Sequence, residues 1–176
     1  MNTKLSLIAM GASALLTTSY VSAADQPAQH FVKESIQGNL AEVKVGNLAE
    51  RKGASQGVKD FGAMLARDHA AANEKAQQAA TALGVTPPSG PSVKQKAMYT
   101  ELAALSGETF DKHFVKAMLK DHQEDIAKYE KEANGSGPAA DYAKAILPHL
   151  HAHLEMAQHL QQEERTATAP DTSKSR

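Results

Sequence analysis

The chain has 176 residues, 41% of them hydrophobic and 5% aromatic, a length and apolar content that suit one domain with a buried core. It has no Cys, which excludes disulfide frameworks, thiolate-ligated zinc, iron–sulfur clusters, covalently attached haem and thiol catalysis. The balance of 19 basic against 20 acidic residues argues against nucleic-acid binding, which gathers a basic excess on one face.

The first segment reads as an export signal. Lys4 supplies the positive start, and Leu5 to Leu16 form a mostly apolar stretch too short and too weak for a spanning helix. Small residues at Val21-Ser22-Ala23 and Ser22-Ala23-Ala24 predict cleavage after Ala23 or Ala24. Residues 1–24 are therefore expected to be a signal peptide and the mature protein periplasmic, with outer-membrane association as the alternative address. No later apolar run is long enough to cross a bilayer, so integral membrane insertion is not expected.

Gly and Pro divide the remainder into helices. The first runs from about Pro27 to Lys52 and stops at Gly53. The second begins after Ser55 and reaches Leu83, with Gly84 just past its end. Residues 85–91, with three Pro, form a stiff connection, and Ser92-Val93-Lys94-Gln95 is a capping-box pattern opening a short helix that ends near Leu105. Ser106 is placed to cap a third long helix reaching Asn134. After the turn at Gly135-Ser136-Gly137-Pro138, a fourth extends to about Glu164, with Pro148 expected to kink it. Residues 166–176 are polar and small, expected as a disordered tail.

Two short turns make two antiparallel hairpins, and the Pro-rich segment with its short helix is the long crossover between them. That is the ferritin-like four-helix bundle, all-α, over residues 25–165. Phe61, Arg67, Asp68 and His69 recur as Phe114, Lys120, Asp121 and His122 at the same spacing, an internal echo between the two hairpins.

At 100° per residue, His69 and Asp68 flank the apolar face of the second helix. Asp121, His122 and Asp125 fall within that of the third. His149 and His153 lie together on the fourth; Asn39 and Glu50 face inward on the first, with Glu42 at the edge. Counted from the two turns, Glu42, Asp68, His69, Asp121, His122 and the segment from His149 to His153 sit at one depth, halfway along the bundle. Unpaired charge in a core costs several kcal/mol, so this layer must be paired, hydrated or metal-bound.

Two readings follow. In the first, Glu42, His69, His122 and His153, with Asp68, Asp121, Asp125 and His149 as further ligands, hold an iron, manganese, zinc or copper ion through nitrogen and oxygen. That reading requires facing atoms within about 5 Å, close enough to collapse onto bonds near 2.0–2.2 Å. In the second, a metal-free Asp–His network fixes helix register in a non-enzymatic envelope stress or interaction protein with a protein partner. No Glu-x-x-His occurs, and His122-x-x-Asp125 is the nearest substitute. His151 and His159 with Glu155 form an outward stripe, read as solvated. No phosphate loop, nucleophile elbow, His-Glu-x-x-His or dinucleotide fingerprint occurs, so no catalytic residue is assigned.

These residues also carry a family resemblance. Leu40-Ala41-Glu42-Val43, Val58-Lys59-Asp60-Phe61 with Asp68-His69, Gly107 to Asp111 with Asp121-His122, and Leu147-Pro148-His149-Leu150 with His153 resemble the exported bacterial DUF4142 family over residues 28–162. The resemblance implies a ferritin-like fold, an envelope address and a shared site at Glu42, His69, His122 and His153. It implies no reaction.

Overall fold

Residues 25–168 are described by a computed structural model, in which every regular element is a helix. The order is α1 (Asp25–Lys52), α2 (Gln56–Ala82), α3 (Val93–Ala103), α4 (Gly107–Ala133) and α5 (Pro138–Thr168). The expected signal peptide and the last eight tail residues lie outside the described residues. Thr166 to Thr168 continue α5, so the helix outruns the expected stop near Glu164.

Local chemistry sets most of the ends. Ser55 Oγ accepts the Val58 amide hydrogen at the start of α2. At its other end Gly84 adopts φ +66°, letting the amide of Val85 reach the Ala80 carbonyl and that of Gly84 the Thr81 carbonyl, a paired closure open to glycine because it has no Cβ. Ser92 and Gln95 form both halves of the capping box. Ser106 occupies the expected cap position of α4 without making the cap bond; its backbone is extended but its side chain accepts nothing from the helix. α5 runs without a break through Pro148.

The four long helices pack as two hairpins, α1 with α2 and α4 with α5, joined mainly through α2 against α5; α3 lies over α1 and α4. The first hairpin closes on bare backbone. A Cβ on Gly46 would meet the Gly62 carbonyl oxygen at 2.6 Å, and one on Gly62 would meet the Gly46 carbonyl oxygen at 2.6 Å. Glycine at both positions brings the helix axes together, and in antiparallel register the same pairing sets Asn39 opposite His69.

Two apolar clusters fill the bundle ends. One contains Val32, Ile36, Ala76, Tyr142, Ile146 and Leu150, the other Val45, Phe61, Leu65, Phe110, Phe114 and Met118. Between them, on every long helix, the buried sequence passes through a polar residue: Glu42, His69, His122 or His153. Two inward expectations fail. Glu50 is exposed because the buried face near the end of α1 is carried by Val45, Leu48 and Ala49, turned away from the line of Val32 on which a straight projection places Glu50. His149 is exposed because it projects to the outer edge of a stripe centred on Ile146, Leu150, His153 and Ala157.

Candidate metal centre

His69, His122 and His153 come from three different helices, and one ring nitrogen of each lies within 4.8 Å of the others. All three residues are at most 5% exposed. Each ring is held by an acceptor on its outer side. His122 Nδ1–H donates to the Met118 carbonyl at 2.9 Å, one turn back on α4. His153 Nε2–H donates to Asp68 Oδ2 at 3.1 Å, and Asp68 Oδ1 accepts from Arg67 Nε at 2.9 Å. His69 Nδ1–H donates to Asn39 Oδ1 at 3.0 Å; the Asn39 amide in turn donates to Tyr142 Oη at 3.0 Å, which contacts Tyr129 Oη at 2.9 Å.

These partners decide the tautomers. A carbonyl and a carboxylate only accept, so His122 Nδ1 and His153 Nε2 carry the ring hydrogens, as does His69 Nδ1 against the Asn39 oxygen. In the neutral rings the lone pairs are left on His69 Nε2, His122 Nε2 and His153 Nδ1, facing inward. Burial drives the ring pKa values down: well below the ordinary range for His69, with the His122 and His153 charges adding to the effect, and to about 4 for His122. Burial also lowers His153, against the pull of Asp68. Asp68 stays ionised: burial works to raise it, and the hydrogen bonds from Arg67 and His153 hold it below its usual value.

Two consequences bear on a ligand. His122 Nε2 and His153 Nδ1 stand 3.2 Å apart with a lone pair on each, a contact that needs a shared cation or a proton. Among the described residues, His69 Nε2 is buried with no hydrogen-bond partner. A buried polar atom left so costs about 1–3 kcal/mol. Two nitrogens bound to one tetrahedral ion at about 2.0–2.1 Å stand roughly 3.3 Å apart. The His122–His153 spacing matches this, and the outward bonds to Asn39, Met118 and Asp68 are the orienting contacts that metal-bound imidazoles carry.

A family-sequence model described as "Domain of unknown function (DUF4142)" matches residues 15–160. The chain belongs to the DUF4142 family. In structure it is similar to a DUF305 fragment from Deinococcus radiodurans, with a TM-score of 0.68 at 14% identity, over 78% of this chain and 97% of that one. That likeness shows a shared helical fold. No curated protein matches the chain.

Of the residues expected at the DUF4142 site, three histidines form the compact group, and Glu42 stands outside it. Glu42 is nonetheless 6% exposed, faces the same cavity as His69, and has Oε2 without a partner. Burial raises its pKa well above the usual carboxylate value, with Asp121 and Asp125 adding to the effect. Asp68 orients His153. Asp121 and Asp125 line the cavity beside Glu42, Asp125 paired with Lys128 at 3.1 Å. His30, His113, His151 and His159 are all exposed.

The sequence reading missed the Tyr129–Tyr142 pair behind Asn39. It also missed Asp111, whose two carboxylate oxygens accept the Ala54 and Ser55 amide hydrogens at 2.8 Å each. Tyr129 stands four residues before the end of α4 and Tyr142 four after the start of α5, which was the available signal for the tyrosines; for Asp111 there was none, because its partner is a turn in the other hairpin.

Proposed function

We propose that this DUF4142 protein is an exported, metal-binding helical bundle that holds one divalent transition-metal ion on His69, His122 and His153. The observation that carries the reading is the inward convergence of three neutral imidazoles whose other nitrogens are already committed to Asn39, Met118 and Asp68. An all-nitrogen set suits zinc, copper or iron, with manganese the poorest fit. Three protein ligands leave the ion a position for water or another small ligand. Export rests on the signal pattern of residues 1–24, and a Cys-free chain is indifferent to an oxidising periplasm.

The test is metal analysis of the protein purified from its native envelope, beside His69→Ala and His122→Ala. One ion per chain, lost in both variants, supports the reading; substoichiometric metal unchanged by the variants overturns it. Recovery of the unprocessed chain from the cytoplasm would overturn the address.

A second reading is favoured by the line of contacts from Asp68 through His153 to His122. One proton on His153 would satisfy both the 3.1 Å and the 3.2 Å contact, giving a metal-free network in an envelope stress or interaction protein. That reading expects a melting temperature indifferent to chelators and to added divalent ions.

A further inference from the structure

A cavity of about 250 Å³ lies between α1 and α4 under the start of α3, and its inner wall holds Glu42 and His69. It is polar in a one-sided way: five carboxylates line it, against the two lysines Lys94 and Lys128. Lys128 is engaged by Asp125 at 3.1 Å, and among the described residues no ion pair joins a lysine to Asp121 or Glu42. Glu42 Oε2 and His69 Nε2 are independent signs of a missing ligand, both buried without a hydrogen-bond partner in residues 6% and 5% exposed. Both residues line the cavity, and His69 also belongs to the histidine group.

We propose that this cavity is the loading vestibule of the histidine centre: a hydrated divalent cation passes Asp121 and Asp125, is taken by Glu42, and is handed to His69. The proposal rests on the metal-binding reading above and assigns the carboxylates a task distinct from ligation in the final site. Oxygen donors suit a cation that still carries water, whereas imidazole suits the dehydrated transition ion. The sequence of donors from mouth to interior therefore follows the order in which water is lost. Low-dielectric walls lined by one sign of charge focus the field along the path and raise the association rate by about 10–10³-fold, an effect that salt screens. Glu42 is the handover group because it alone among the five carboxylates is buried.

Stopped-flow mixing of the metal-free protein with cobalt(II) chloride, followed by the visible absorption of the bound ion, tests this. The wild-type rate is expected to fall as ionic strength rises. The double variant D121N/D125N should load about tenfold more slowly at low salt, converge on wild type at high salt, and still bind one ion per chain. The control E108Q/E163Q removes the same charge at the Asp111 end of the bundle and should load at the wild-type rate. A salt-independent wild-type rate, or equal slowing by both double variants, overturns the vestibule while leaving the histidine site standing. Absence of cobalt binding by the wild type overturns both. Glu42→Gln should slow loading at every salt concentration, because it removes the handover rather than the long-range field. Thermal melts of each variant guard against misfolding, and the salt dependence of the wild type tests the proposal even where a variant does not fold.

Discussion

Two buried polar constellations in this molecule look alike by exposure and differ in chemistry. Asp111 is 5% exposed, and both of its oxygens accept backbone amides from the α1–α2 turn. The mid-bundle layer is equally buried, yet it leaves Glu42 Oε2 and His69 Nε2 without partners and sets two lone pairs 3.2 Å apart. The first is a closed account, in which every acceptor meets a donor, and it ties α4 to the other hairpin. The second is open toward the cavity and the histidine group, where Glu42 Oε2 and His69 Nε2 lack partners among the described residues. Burial alone thus does not separate structural from functional polar groups; the direction of unsatisfied valence does.

Removing one histidine separates the two constellations most. His122→Ala should cost at least about a thousandfold in affinity for zinc or cobalt, beyond the roughly 10–100-fold that loss of an orienting partner costs. Isothermal titration reads it, and an unchanged affinity would place the ion elsewhere. The metal-free protein should respond less. His69→Leu removes the unpartnered Nε2 but also strands the Asn39 oxygen that Nδ1–H serves, so in chelator it should lower stability by less than the loss of Asp111 does. Asp111→Ala should lose about 3 kcal/mol, because two charge-assisted bonds go, and added metal should not change that difference. Denaturant melts of both variants in chelator measure this, and equal losses would contradict the difference between the two constellations.

Acid should act on the layer in a defined direction. His122 titrates at about 4 in the fold and near 6.5 unfolded, so the unfolded state binds the extra proton between those values. Its contribution to stability is present above pH 6.5 and is lost as the pH falls toward 4, by about 3 kcal/mol at about 1.4 kcal/mol per pH unit. Glu42 works the other way: its raised pKa makes the fold bind the extra proton, and its contribution is lost as pH rises above the ordinary carboxylate value. Glu42→Gln in chelator should therefore steepen the loss of stability between pH 6.5 and pH 4. An acid slope identical to wild type would contradict the assignment. The smallest expected effect is at Asn39. Asn39→Leu frees the His69 ring to rotate and should weaken metal binding by about 10–100-fold with little change in the fold.

Much of this is legible in the sequence itself. Gly53, Gly84 and Gly137 mark helix ends, and counting residues outward from the two turns put Glu42, His69, His122 and His153 at one depth. Antiparallel helices keep register: the pairing of Gly46 with Gly62 is the same pairing that sets Asn39 against His69. Rotation about the helix axis was less legible. A fixed 100° step assumes one straight stripe, whereas the buried face of α1 turns away from the Val32 line before Glu50; His149 stands at the edge of its stripe even in that projection. Side-chain direction was illegible altogether. Asp68 and Asp121 occupy equivalent places in the internal echo, yet one bonds His153 and the other faces the cavity, because different helices lie against them.

X-ray absorption on the protein loaded with one equivalent of zinc or cobalt tests the central claim most directly. Three histidine nitrogens at about 2.0–2.1 Å are predicted, with that imidazole signature reduced in His69→Ala. A shell of oxygens alone, or a spectrum untouched by the loss of His69, would contradict it.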